Sequence, residues 1–302
     1  MKTFIPFVSF LLIFSICSFA QKIDPQGQIG YVPLWLKQEE QSVWTRLLQE
    51  PKISNWEIWS ATDPQLSSTY EQSIAPIIQK LDAARIQSKP IAKQVKLIHK
   101  VLHKELFKRY VPVAYWGATL REGTYNCVTS TVVMGLILEH YDIPFSVLEE
   151  ENHVLIKIKP EKGSPFVVET TDGERGFIQP SSSFKSSFIE TMTSYGILSS
   201  AFIANYTEEE LFTRYFYFEK EIDLRQLAGL QFFNLAYLAT LDRQWEQAQT
   251  YYEKGLLLYT WNERGEINLL GVTEYQLVRP DWDDMSRETF LTLVEAYQKM
   301  AQ

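Results

Sequence analysis

Cys127, His153 and Glu169 are the side chains whose types and order in this 302-residue chain suit nucleophilic catalysis. A thiolate can attack a carbonyl carbon, an imidazole can activate the thiol and then protonate the leaving amine, and a carboxylate can fix the imidazole tautomer. The chain carries two cysteines, Cys17 and Cys127. Cys17 falls in a stretch that reads as an export signal. After processing, Cys127 would stand alone in a compartment where thiols oxidise, with no structural partner to account for it. That isolation favours a chemical role for Cys127.

The elements that must position these groups are legible in outline. Cys127 to His140 reads as a buried helix, because apolar residues at 128, 132, 133, 136, 137 and 138 cover most of its circumference. Asn126 takes the N-cap position, so the thiol lies in the first turn, where unpaired N–H groups and the helix dipole favour an anion. His140, at the other end, suits the dipole's negative pole. After Asp142-Ile143-Pro144 come three strand-like runs, Phe145 to Leu148, Val154 to Ile158 and Phe166 to Glu169. The turn-rich Pro160-Glu161-Lys162-Gly163-Ser164-Pro165 makes a hairpin of the last two. A turn centred on Glu161 would set His153 opposite Glu169, with Cβ atoms roughly 5 Å apart. Asp172 is the alternative acid, and would need the turn displaced toward Lys162 and Gly163. Each residue also has a plainer role: a small buried thiol, a strand-capping imidazole, a solvated carboxylate. Their joint order and spacing weigh toward a triad.

Three blocks then carry a resemblance: Gly123 to Thr131 (Gly-Thr-Tyr-Asn-Cys-Val-Thr-Ser-Thr), Asn152-His153-Val154-Leu155-Ile156, and Val168-Glu169-Thr170-Thr171-Asp172-Gly173. Over roughly residues 90 to 180 the chain resembles the transglutaminase-like superfamily of the papain-like fold. The resemblance implies an α+β core with a central helix packed on an antiparallel sheet. It gives Cys127 the nucleophile role, His153 the base role and Glu169 the orienting role. It also implies a peptide or protein substrate, with the acyl group passed to water or to an amine; hydrolysis is the default for exported members of bacterial character. Many members carry Asp-Pro-Thr in the third block, where this chain has Glu169-Thr170-Thr171. The backbone N–H of Cys127 is a natural oxyanion donor. Trp116, Tyr115 and Tyr125 are side-chain candidates for that role, each equally readable as a core aromatic.

The remaining sequence sets the context. A content of 45% hydrophobic residues allows a sizeable core, and a formal net charge of -8 offers no footprint for nucleic acid. The one basic stripe is Lys93, Lys96, Lys100, Lys104 and Lys108, on a helix from about Pro90 to Phe107 whose apolar face is Ile91, Val95, Ile98, Leu102 and Leu106. It reads as a solvated face. His99 and His103 stand four apart on that helix, but Lys100 replaces the glutamate of a zinc peptidase motif and no further ligand is near, so no metal is expected. No calcium loop or other cofactor motif is found. Two earlier helices, Leu36 to about Glu50 and Ser67 to Ile86, are joined by the aromatic segment Asn55-Trp56-Glu57-Ile58-Trp59, which reads as turn-rich.

At the N-terminus, Lys2, the apolar run from Phe4 to about Cys17 and Ser18-Phe19-Ala20 favour a cleaved signal over residues 1–20. An uncleaved anchor and lipidation at Cys17 are the rivals, the latter opposed by bulky Ile16. The expected product is secreted or periplasmic with no stable membrane span. The serine-rich loop Pro180 to Ser183 leads into helices. From Leu227 to Thr260 the positions Phe232, Leu235, Ala236, Trp245, Ala248, Tyr252 and Leu256 suit one tetratricopeptide-like hairpin with its turn at Asp242-Arg243-Gln244, or a plain helical hairpin. A last helix is expected over Ser286 to Met300. The expected division is 1–20 signal, 21–89 helical lead-in, 90–190 catalytic core and 191–302 helical region. The competing function is an inactive fold that binds a peptide or partner protein at its C-terminal helices, through Tyr251, Tyr252, Tyr259 and Trp261.

Overall fold

A computed structural model describes residues 43–49, 53–63, 69–216, 220–260, 262–278 and 294. The expected signal over 1–20 with Cys17, the start of the first helix at Leu36, Trp261 and the helix at Ser286 to Met300 lie outside these residues. The described elements in chain order begin with α1 (Val43–Gln49), α2 (Asn55–Ser60), α3 (Thr69–Ala83), α4 (Ile91–Glu105), β1 (Arg109–Tyr110), α5 (Trp116–Glu122) and β2 (Thr124–Tyr125). Next come α6 (Cys127–His140), β3 (Phe145–Glu149), β4 (Val154–Ile158), β5 (Phe166–Val168) and β6 (Phe177–Ile178). The chain continues with α7 (Ser182–Ser194), α8 (Ser200–Ile203), α9 (Glu208–Phe216), β7 (Lys220–Ile222), α10 (Leu224–Leu241), α11 (Trp245–Leu258) and α12 (Glu263–Val278). The protein is thus an α+β protein. Residues 54–227 form one unit, and residues from 1–53 and 228–302 form another.

Local chemistry sets the first unit's element boundaries. The segment read as a turn, Asn55 to Trp59, is helical: Ser54 and Glu57 close a reciprocal capping box that starts α2. The α3 helix stops at Ala83, short of Ile86, because Arg85 takes a left-handed φ of 50°. Pro90 caps α4. Gly123 ends α5 with φ 76°, and a Cβ there would meet the Leu106 carbonyl oxygen at 2.3 Å, so glycine is required at the corner that leads through β2 to Asn126.

The main sheet has the order β6-β5-β4-β3-β7, and every neighbouring pair is antiparallel. Across it, Val147, Ile156 and Val168 fall in register and are fully buried. Their strand neighbours Leu148, Leu155 and Val167 pack on the opposite face with Phe188 of α7 and Phe212 and Phe216 of α9. Alternation therefore turns the first set toward α6, which packs on β3 and β4 and, on its other sides, on α4 and α5. Val128 to Leu138 are buried without interruption, as the all-round apolar pattern requires. A second, two-stranded parallel sheet pairs Tyr110 of β1 with Tyr125 of β2. Glu221 of β7 accepts from Lys157 at 2.9 Å and also pairs with Lys159. Burial opposes ionisation of Glu221, yet the two lysine hydrogen bonds outweigh it and hold its pKa at about 2.

In the second unit, α10 and α11 form the expected helical hairpin, turning at 242–244 with Arg243 left-handed at φ 59°. The helices touch where Gly229 faces Gly255, since a Cβ at 255 would lie 3.1 Å from the Gly229 oxygen and closer still to Phe233. Ala236, Ala248 and Tyr252 form its core with Leu269 and Val272 of α12. Tyr252 and Tyr259 are buried, at 3% and 1% exposure, which removes them from the surface expected to bind a partner. No described helix is long and apolar enough to cross a membrane.

Asn126 couples α6 to the strands before it. Its Oδ1 accepts from the Thr129 N–H at 2.9 Å, its own N–H is held by Thr129 Oγ1, and its Nδ2 donates to the Pro112 carbonyl at 3.3 Å. Asn126→Ala should cost about 1–2 kcal/mol. A urea midpoint unchanged from wild type would contradict that role for the cap.

Candidate active site

Cys127 is the first residue of α6 and is partly exposed. The Thr129 N–H is taken by Asn126 Oδ1 and the Ser130 N–H by the Asn126 carbonyl. No hydrogen bond among the described residues occupies the N–H groups of Cys127 and Val128 at the head of the helix. His153 immediately precedes β4, and its Nε2 is hydrogen-bonded to Glu169 Oε2 just after β5. The second carboxylate oxygen, Oε1, accepts from the Thr171 N–H at 2.8 Å and the Thr171 hydroxyl at 2.6 Å. Hydrogen bonding with the Cys127 side chain is the largest influence on the His153 ring. The three side chains named from the sequence therefore meet.

They do not meet in the expected register. The β4–β5 hairpin pairs Ile156 with Val168 and Ile158 with Phe166, so facing residue numbers sum to two more than a turn at Glu161 requires. Carried past the ladder, this register sets His153 opposite Thr171 and leaves Glu169 one pair away, on the diagonal. Diagonal neighbours lie about 7–8 Å apart, within reach of a long side chain. The glutamate length thus closes a gap that an aspartate could not. Asp172 is no substitute: its carboxylate accepts from the backbones of Glu174 and Arg175 at 3.0 and 2.9 Å and pairs with the Arg175 guanidinium.

Electrostatics follow from these contacts. The hydrogen bonds with Cys127 and then Glu169 outweigh desolvation and raise the His153 pKa to about 10, so the ring is an imidazolium at neutral pH. For Glu169, burial pushes upward, but the bonds from His153 and Thr171 together hold its carboxyl below the usual carboxylate range.

Sequence reading missed the groups that fix this arrangement. Thr170, fully buried, lies between Ser130 and Thr131 of α6 at 2.8 and 3.0 Å. Since the Ser130 hydroxyl hydrogen goes to the Asn126 carbonyl at 2.7 Å, Thr170 donates to Ser130 and Thr131 donates to Thr170. The signal was present as Thr129-Ser130-Thr131, three hydroxyls on an otherwise apolar buried helix that must find partners. Tyr110 was also missed; it is 53% exposed, stacks edge-on against Tyr125, and its phenol pKa is raised by burial and by its proximity to Cys127 and Glu169.

The three aromatic candidates for an oxyanion donor fare differently. Trp116 is buried against Trp56 and Trp59, and Tyr125 packs with Phe107 and His103, as core aromatics do. Tyr115 is exposed at the N-cap of α5. His99 and His103 direct their Nε2 atoms to the carbonyls of Glu169 and Thr170. No group of metal-binding type forms among the described residues.

Glu169→Asp should break the diagonal contact: the His153 ring, titrating near 10 in wild type, should shift downward by at least a unit in an NMR titration. An unmoved titration would contradict the register argument. Because the folded pKa of His153 lies above its ordinary value of 6.5, its stabilising contribution is complete below that value and is lost as pH rises toward about 10. The urea midpoints of wild type and His153→Ala should therefore converge between pH 6.5 and 10. No family model, curated protein or solved structure matches the chain.

Proposed function

We propose that this chain is an exported, transglutaminase-like cysteine enzyme that transfers acyl groups from peptide or glutamine-type amides, using Cys127, His153 and Glu169. The observation that carries this reading is the His153 ring, hydrogen-bonded to Glu169 and with its pKa raised most by the Cys127 side chain at the head of a buried helix. The thiolate of Cys127 attacks the amide carbon and the carbonyl electrons move onto oxygen. The N–H groups of Cys127 and Val128 stabilise that oxyanion. As the oxyanion collapses, the C–N bond breaks and imidazolium His153 gives its proton to the departing nitrogen. This leaves a thioester and neutral His153, which then takes a proton from water or from an amine as either attacks the thioester. Attack regenerates the thiolate–imidazolium pair and releases an acid or a new amide. Glu169 keeps the ring in line throughout and is not consumed. Hydrolysis is the default outcome, since water needs no second binding site.

Iodoacetamide alkylation of Cys127 across pH 5–10 tests the chemistry without a known substrate. Wild type should react at pH 6–7 at least about tenfold faster than an ordinary thiol, and His153→Ala should remove the excess. An inflection near 8.5, indifferent to His153→Ala, would overturn the enzyme reading in favour of a binding module. Ammonia release and methylamine incorporation on glutamine peptides, with Cys127→Ser as the blank, then separate hydrolysis from transfer. Intact mass of the exported protein should lack residues 1–20; retention of Met1 would refute cleavage, and added lipid mass would point to Cys17.

A further inference from the structure

We infer that His99 and His103 are positioning residues: their ring N–H groups clamp the backbone of Glu169 and Thr170 and so hold the Glu169 carboxylate in line with His153. The inference rests on the proposed triad and adds to its one imidazole a pair that never touches the reacting atoms.

The geometry is specific. His99 Nε2 lies 3.3 Å from the Glu169 carbonyl and His103 Nε2 lies 3.0 Å from the Thr170 carbonyl. A carbonyl oxygen only accepts, so both rings carry their hydrogen on Nε2. Two residues one helical turn apart thus grip two consecutive peptide units, the first carrying the acid and the second carrying the hydroxyl that ties the strand to α6. His99 is only 5% exposed, so its donor has little water to fall back on.

An independent observation comes from the far side of the same loop. A Cβ on Gly173 would lie 2.8 Å from His103 Nδ1, and one on Gly176 would lie 2.7 Å from His99 Nε2. Neither glycine has a positive φ, so crowding and not backbone conformation excludes a side chain: His103 Nδ1 is the nearest atom at Gly173, whereas at Gly176 the carbonyl oxygens of Glu169 and Asp172, at 2.2 and 2.4 Å, stand closer than His99. Loop and ring pair are fitted to each other.

The clamp requires neutral rings. The groups facing them are each other at 4.6 Å between centroids, Glu169 and Asp172 from the segment after β5, Phe107 from the turn after α4, and Tyr125 from β2. Burial is the largest influence on both and lowers both pKa values, and for His99 the neighbouring ring adds to it. With folded values below 6.5, the stability that the pair contributes is complete above that pH and is lost as pH falls through the lowered values. A second proton would set two cations side by side beneath the acid.

The test uses the full chain carrying His103→Leu, His103→Gln or His103→Asn, and the same three changes at 99, with iodoacetamide as probe and urea unfolding alongside. Glutamine places its amide nitrogen where Nε2 stood, whereas asparagine stops short of it. Leucine and asparagine variants should alkylate Cys127 about tenfold or more slowly at pH 7, and their His153 titration should move down from wild type. Glutamine variants should recover most of the rate and lose the part of the acid-side decline that belongs to the replaced imidazole. Should leucine fail to fold, the contrast of glutamine with asparagine decides the matter alone. Equal rates and unmoved pH profiles in glutamine and asparagine variants would overturn the clamp. A fast wild type slowed by His153→Ala, together with indifferent variants at 99 and 103, rejects the clamp and leaves the triad standing. A slow wild type indifferent to His153→Ala rejects the triad and the clamp with it.

Discussion

The N-terminal turn of α6 is sunk into an apolar interior, and peptide groups there cannot be left to water that does not reach them. Asn126, Ser130, Thr131 and Thr170 meet that demand with a directed run of hydroxyls ending on the Asn126 carbonyl. An unmade buried hydrogen bond costs about 1–3 kcal/mol, so the run is a firm tether between the helix and the strand that carries Glu169. At the head of the turn, where that satisfaction stops, Cys127 is partly exposed.

Strand register then decides which acid can serve. One pair of slippage between β4 and β5 changes a facing contact into a diagonal one, and the extra methylene of glutamate restores the reach. Proline at position 170 would remove the buried hydroxyl that ties the strand to α6, and at 171 it would remove the N–H that Glu169 Oε1 accepts.

Much of this was legible in the residues. The buried helix, its Asn126 cap, the three consecutive strands and the side chains that would meet all follow from local patterns of apolarity and turn chemistry. What escaped was of another kind. The capping box at Ser54 and Glu57 was hidden by aromatic residues that read as a turn. The two-residue strands β1, β2 and β6 are too short to show a period, and β7 is defined by its partner β3 rather than by its own alternation. The exact register depended on how the seven-residue loop 159–165 closes, which local propensity does not fix. His99 and His103 read as a metal motif lacking its glutamate because their true partners are backbone carbonyls some seventy residues away, which leave no trace in side-chain spacing.

Strand β7 has a consequence for how such a chain is made. It joins the sheet beside β3 although it lies some seventy residues further along, and Glu221 fastens it to Lys157 and Lys159. During synthesis in an N-to-C direction, β3 must wait as an unpaired edge until Ile222 emerges. A nascent chain stalled before that point would carry a strand still seeking a neighbour. Escort by a holding chaperone at that stage would therefore protect neighbouring chains as much as this one.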